Sequence, residues 1–438
     1  MLKRILFCVA VVAVCFLCGC SMRTVDEMYC LPERPESYTN LQSLINESMV
    51  GRAYCAPLTG ENQQTVQMAD LNGDGIREYL LYAKSNGELP LQILIFSQTD
   101  EDYVLTEIVE SPGAAFDVVE YVQMDGKGGM ELIVGRQLSD GVLRSVSVYT
   151  NRNGTMEQVM TTSYAKILPC DLNSDDLSEL FVLRPDQAGG TNGIAELYSM
   201  ETGTMERSKE APMSGPTDNL KRVITGNLSG GVPGVFVGTS VAESAIITDV
   251  YALVDGALTN VSLSNESGTS VQTLRNYYVY ADDIDNDGEV ELPSLMAMQP
   301  MDAGKSFESH HVIRWYSITT DGGEVDKMFT YHNFVGGWYM SLGREWASRI
   351  SVMQNGNAYD FYLWDTAGKA QCVFTVYSFT GQDREQLAVQ GNRFVLHRTE
   401  SSVYAAHLAV ASGELRITQE DLIAGFHLIR LDWRSGEM

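Results

Sequence analysis

The sequence predicts a mainly β chain of repeated small antiparallel sheets, followed by a smaller α+β unit. Three observations carry that reading. A loop that opens Asp70-Leu71-Asn72-Gly73-Asp74-Gly75-Ile76-Arg77-Glu78 runs into the apolar Tyr79-Leu80-Leu81-Tyr82. It returns as Asp171-Leu172-Asn173-Ser174-Asp175-Asp176-Leu177-Ser178-Glu179 and as Asp283-Ile284-Asp285-Asn286-Asp287-Gly288-Glu289-Val290-Glu291. Weaker copies open at Gln123 and Asn227, so loop starts recur about every 50 residues, a period that belongs to stacked supersecondary units. Between the loops lie short runs rich in β-branched and aromatic residues, most of them closed within a few residues by Gly, Asn or Asp, as strands with tight turns require.

Each full copy places oxygen side chains at loop positions one, three, five and nine. Such a set, with the carbonyl of position seven between them, converges on a hard cation, and calcium is the ion expected. An EF-hand instead puts its bidentate Glu at position twelve and enters a helix. Here the acid stands at position nine and strand-like residues follow, so the loop joins β elements. These segments resemble the calcium loops of FG-GAP or VCBS-type repeats, the blades of integrin-like β-propellers. The resemblance implies a β-propeller of about five blades, or six or seven if part of the C-terminal region joins the ring; a four-stranded blade fits the repeat length. It implies as ligands Asp70, Asn72, Asp74 and Glu78; Asp171, Asn173, Asp175 and Glu179; and Asp283, Asp285, Asp287 and Glu291. The carbonyls of Ile76, Leu177 and Glu289 complete the three sets.

The second copy, Gln123 to Glu131, puts Lys127 where the third carboxylate belongs, so no calcium is expected there. The fourth, Asn227 to Gly234, is one residue shorter and has no acid. A single loop of this kind reads equally well as a solvated Asp/Gly turn; three copies with the same acid at position nine argue for more. With ~1 mM free calcium and a dissociation constant of ~0.1 mM, each site adds about 1.4 kcal/mol and three add about 4 kcal/mol.

Taken in order, residues 1–19 read as an export signal. Lys3 and Arg4 precede thirteen apolar residues, Ile5 to Leu17, too few to span a bilayer. Leu17-Cys18-Gly19-Cys20-Ser21 resembles a bacterial lipobox, which implies cleavage before Cys20, lipid on its thiol, and a body tethered to the membrane outside the cytoplasm; an ordinary secretory or short membrane segment is the alternative. A lipidated tether and short helix occupy 20–52, with Leu41, Leu44, Ile45 and Met49 at helical spacing from about Thr39 to Met49 and a cap near Asn40. The formal net charge is −27; an acidic surface without a basic cluster argues against nucleic-acid partners. Of eight cysteines, Cys8, Cys15 and Cys18 leave with the signal and Cys20 carries lipid. Cys30 and Cys55 have a spacing that permits pairing, while Cys170 and Cys372 read as buried thiols.

Residues 53–330 are expected to hold the calcium loops and the β-propeller that the resemblance implies. All five tryptophans, Trp315, Trp338, Trp346, Trp364 and Trp433, stand at or beyond its last unit. A boundary is expected between Thr330 and Gly336, and 331–438 reads as a C-terminal α+β module whose Thr418, with Asp421 three residues on, caps a closing helix through about Leu431. Its tryptophans are expected in the core before they are expected to stack on sugars. No HExxH, Gly-x-Ser-x-Gly, P-loop or Cys-x-x-Cys occurs. His310 and His311 alternate faces, and His397 and His407 stand on neighbouring strand candidates with nothing to complete a catalytic set. The sequence therefore favours a non-enzymatic binding or scaffold protein at the cell surface, its ligand a surface protein or glycan. The alternative is a surface glycan hydrolase using two funnel carboxylates.

Overall fold

The structure, a computed structural model, describes residues 36–99, 102–138, 143–185, 192–201, 203–242, 245–277, 279–299, 301, 311–409 and 417–430. The signal segment, Cys20, the Cys30 partner of Cys55, His310 and Trp433 lie outside them. No helix among the described residues is long and apolar enough to cross a membrane. The described chain is mainly β, in six antiparallel sheets, and clusters into two compact units.

One unit holds residues up to 56 with 64–69 and 76–112. Helix α1 (Glu36–Ser48) precedes the first sheet. Leu41 and Ile45, on one helical face, bury against Leu81, Ala83, Leu94 and Phe96, which is why a short amphipathic segment holds its helix here. The helix starts earlier than its spacing predicted: Asn40 lies inside it, and its amide donates to Asp102 Oδ2 at 2.8 Å instead of capping. In the first sheet, strands Ala53–Tyr54 and Val66–Ala69 both pair with Glu78–Lys84, at Ala53↔Lys84 and Val66↔Leu81. They are two pieces of one edge strand. Leu91–Gln98 and Tyr103–Ser111 complete the sheet.

The second unit holds the other five sheets. The second runs Ala115–Val122, Glu131–Gln137, Arg144–Arg152, Thr155–Ser163; the third Lys166–Cys170, Glu179–Pro185, Gly193–Glu201, Thr204–Pro212; the fourth Leu220–Leu228, Val232–Ala242, Ala245–Val254, Ala257–Asn260. Each is a meander of sequential neighbours. The second strand of each buries a continuous run, at 131–136, 179–183 and 234–239, whereas the last strands of the second and third are mostly exposed. A strand covered on both faces needs a continuous apolar run, and an outer strand needs only one apolar face. In every one of these sheets the recurrent loop joins strand one to strand two.

The fifth sheet runs Leu292–Ala297, His311–Ile318, Glu324–Asn333 and Trp338–Leu342, with Phe426–Leu428 on its edge. Ahead of Leu292–Ala297 the chain makes isolated bridges, Ile246↔Arg275 and Asp282↔Glu291. Sheet six orders Ile350–Asn355, Ala358–Trp364, Ala370–Thr380, Ser402–Leu408 and Phe394–Arg398, accompanied by helices α2 (Arg344–Ala347), α3 (Arg384–Val389) and α4 (Gln419–Gly425). The boundary expected between Thr330 and Gly336 falls inside the fifth sheet: Thr330 pairs with Ser341 across the hairpin. One core joins Tyr331, Trp338 and Met340 of the fifth sheet to Phe361 and Phe374 of the sixth. Phe361 and Phe374 stack with ring centroids 4.3 Å apart. Sharing a core across that hairpin removes the composition break as a structural seam.

Trp315, Trp338 and Trp346 are buried, so they serve the core. Thr418 and Asp421 form the capping box, but α4 stops at Gly425 because Phe426–Leu428 pairs with Trp338–Met340. His397 stands opposite Tyr404, three residues from His407, so the register keeps those histidines apart. His332 is buried, its pKa pushed down to about 3 by burial.

Phe361→Ala removes a fully buried ring from the shared core and is expected to cost about 3–5 kcal/mol in urea unfolding. Thr418→Ala removes a cap and is expected to cost only about 1 kcal/mol.

Candidate metal centre

The recurrent loop has one backbone conformation in four copies. Positions four and six have positive φ in each: Gly73 and Gly75, Gly126 and Gly128, Ser174 and Asp176, Asn286 and Gly288. Glycine adopts that region freely, and Asn tolerates it; Ser174 and Asp176 hold it under strain.

The side chains at odd positions shape the turn through backbone N–H groups. Asp70 accepts from Gly73 N at 2.7 Å and Gly75 N at 2.9 Å, and Asp171 accepts from Ser174 N at 2.7 Å and Asp176 N at 2.9 Å. Asp283 accepts from Gly288 N at 3.0 Å. At position three, Asn72, Asp125, Asn173 and Asp285 each accept the N–H two residues on.

Position nine is a buried carboxylate in every copy that has one: Glu78, Glu131, Glu179 and Glu291. Its second oxygen accepts the N–H of the apolar residue at position two: Met124 at 2.7 Å, Leu172 at 2.9 Å, Ile284 at 3.0 Å. Those position-two side chains are buried, as are Leu71 and Leu228. Apolar plug and acid together tie the ends of the loop.

The copies differ in what meets the other oxygen of that acid. Glu131 Oε1 accepts from the Thr150 hydroxyl at 2.9 Å. Glu179 Oε1 accepts from the Asn173 amide at 2.6 Å, and the same amide nitrogen donates to Asp175 Oδ2 at 3.0 Å. Glu291 Oε1 is buried with no hydrogen-bond partner. Burial, and then the charges of Asp285, Asp287 and Asp283, push the Glu291 carboxyl up to about 8.

Asp283, Asp285 and Asp287 form the one group of three acidic, His or Cys side chains, among the described residues, whose ligand atoms lie within 4.8 Å of one another. The loops at Asp70 and Asp171 hold their residues in the same frame without that convergence. The loop at Asp283 also has a neighbour that its spacing could not reveal. Lys327, on strand Glu324–Asn333, places its ammonium 2.6 Å from Asp287 Oδ2 and 2.9 Å from Glu289 Oε2. That contact holds the Asp287 carboxyl below its usual range, while burial and Asp287 raise Asp285. In the second loop, Lys127 sits 2.7 Å from Asp125, so an ammonium stands on the loop acid there too.

Successive loops are stitched by one repeated bond. The carbonyl at position one accepts the N–H at position eight of the next loop: Asp70 from Met130 at 2.8 Å, Gln123 from Ser178 at 2.8 Å, Asn227 from Val290 at 2.8 Å. A Cβ on Gly129 would stand 2.5 Å from Leu71 O, so that approach needs glycine. The stitch is missing between the third and fourth copies. Strand register aligns Gly226 with Gly234 as it aligns Cys170 with Glu179, which puts Pro233 at position eight, without an N–H.

Away from the loops, Glu120 on the first strand of the second sheet is half-buried, and burial followed by the charge of Glu61 raises its carboxyl. Asp117 accepts from the Tyr164 hydroxyl at 2.5 Å and Asp249 from Ser214, Ser270 and Asn260, so these buried acids are structural. The Cys170 thiol is buried and pushed up to about 12 by burial, then by Glu179 and Asp171.

No family model matches the chain, and no curated protein matches it. Among solved structures it is similar to a protein from Lactobacillus plantarum at 12% identity and a TM-score of 0.28, over 73% of this chain and 86% of that one. It is also similar to rhamnogalacturonan lyase YesW, at 12% identity and a TM-score of 0.31, over 68% of this chain and 57% of that one. A third is the exotype rhamnogalacturonan lyase YesX, at 10% identity and a TM-score of 0.30, over 75% and 69%. The likeness extends to the multi-sheet β character and carries nothing about activity.

Asp176→Gly relieves a left-handed residue and is expected to raise stability by about 1 kcal/mol in thermal unfolding. Glu131→Ala leaves the Met124 N–H and Thr150 hydroxyl without their acceptor and should cost about 1–3 kcal/mol, equally with calcium and with chelator.

Proposed function

We propose that this chain is a calcium-stabilised β-propeller carried outside the cytoplasm on a lipid at Cys20, working as a binding or scaffold protein. Supporting the ring are meanders of one plan, whose connecting loops share a conformation and a stitch. The observation that carries the metal is Glu291 Oε1, a buried carboxylate oxygen without a partner beside three convergent aspartates. Leaving such a group unmade is costly, and a divalent cation meets that cost. The donor set is all oxygen, which favours calcium over softer metals. Asp283, Asp285, Asp287, Glu291 and the Glu289 carbonyl would hold the ion; the loops at Asp70 and Asp171 would bind more weakly, each with an amide at position three. The metal's contribution is charge and rigidity at the turn, and the faces between loops are left for a protein or glycan ligand.

A second reading, glycan hydrolysis, draws on one observation: Glu120 has a raised carboxyl with Glu61 as its charged neighbour, the pairing an acid and a base need. Glu120→Gln abolishing release of reducing ends from a surface glycan would establish it.

Melting the purified chain with calcium and then with chelator is expected to lower Tm without calcium, by about 1.4 kcal/mol of stability per occupied site. Replacing Asp74, Asp175 and Asp287 together with Asn should erase the difference, whereas superimposable wild-type curves would reduce the loops to plain turns. Lys327→Met frees Asp287 and Glu289 from their resident ammonium, and calorimetric titration should then find calcium bound roughly fivefold tighter at the loop that opens at Asp283.

A further inference from the structure

At the end of the sheets away from the metal loops lies a concave site of another character. The first strand of the third sheet, Lys166–Cys170, runs from this site to the loop at Asp171; Leu220–Leu228 runs likewise to the loop at Asn227. Where those strands begin, a cavity of about 370 Å³ opens between the second, third and fourth sheets. Its lining includes Arg144, Lys166 and Lys221 against a single acid, Asp218.

That balance inverts the chain as a whole, in which 57 acids outnumber 30 Lys and Arg. A surface with this charge repels anions, whereas cations gathered in one hollow attract them locally. Arg144 is held in place: its Nη1 donates to the Ala165 carbonyl at 3.3 Å, and its Nε lies 3.6 Å from the buried Asp117 carboxylate. Lys166 and Lys221 are exposed and form no ion pair within the described residues; the Lys166 ammonium acts on Glu120, on the first strand of the second sheet, as a weaker influence than burial and Glu61. Asp218 and the Thr217 hydroxyl add acceptors at the rim.

We propose that this cleft binds a hydroxylated organic acid of about monosaccharide size. The cavity is far larger than a bare inorganic anion and falls within the range of small-molecule sites. A carboxylate is taken by Nη2 of the Arg144 guanidinium and the two ammonium groups. Ligand hydroxyls donate to Asp218 and Thr217, and the Asp218 carboxylate disfavours a phosphate dianion in the same place. The site is independent of calcium, since its residues stand at the far ends of the strands that lead to the loops.

Calorimetric titration of the purified chain with glucuronate, glucose and inorganic phosphate tests this, each in calcium and in chelator. Glucuronate is expected to bind under both conditions and glucose to fail. Lys166→Ala and Lys221→Ala should each weaken glucuronate about tenfold, with Tm unchanged, Lys221→Arg retaining binding and Lys369→Ala, on the sixth sheet, matching wild type. Absence of glucuronate binding to wild type overturns the proposal, as does an equal loss in Lys369→Ala. Phosphate binding as tight as glucuronate also overturns it, because the cleft would then be a charge patch without a place for hydroxyls.

Discussion

The hydrogen bond from the position-two N–H to the position-nine carboxylate is the constraint on which the rest of the repeated architecture depends. It closes a nine-residue loop over a buried apolar plug, and it is made alike in a loop with Lys127 at its centre and in one with three convergent aspartates. A buried carboxylate without donors costs several kcal/mol, so each copy must supply partners for both oxygens. The second copy uses Thr150, the third uses the Asn173 amide, and the copy at Asp283 leaves Glu291 Oε1 unmet. The frame is thus shared by copies with different centres; what varies is what stands inside it.

The loops also carry the contact between successive sheets of the second unit. Each stitch satisfies a carbonyl that an isolated turn would leave to water, and its near-identical length at three junctions reflects one geometry repeated. Proline at the fourth copy removes the donor, and there a cavity of about 280 Å³ replaces the bond, lined in part by Cys170, Asp171 and Pro233. Loss of the acid, loss of a residue and loss of the stitch coincide in that copy. A loop without its buried carboxylate no longer holds position eight where its neighbour needs it.

Lysine supplies the other half of the electrostatics. Lys127 and Lys327 put an ammonium on loop acids in two copies, one from within the loop and one from the central strand of the fifth sheet. Clustered aspartates repel one another unless a cation stands among them, and the chain provides part of that charge itself. The proposed calcium affinity is therefore set by a competition between a tethered monovalent charge and a free divalent one.

The sequence by itself determined the repeat, the loop frame, the strands that follow each acid and the burial of Trp315, Trp338 and Trp346, because those depend on local backbone preference and on period-two apolar patterning. The Thr418–Asp421 cap was legible to the residue for that reason. Long-range pairing was not. Only the tertiary structure brought Lys327 to a loop forty positions earlier, carried one core from Trp338 to Phe374 across an expected boundary, stopped α4 at Gly425 in favour of a sheet edge, and gathered Arg144, Lys166 and Lys221 into one hollow. Spacing along the chain encodes neighbours within a turn or a strand; which distant strand arrives beside them is decided by how whole sheets bury their apolar faces.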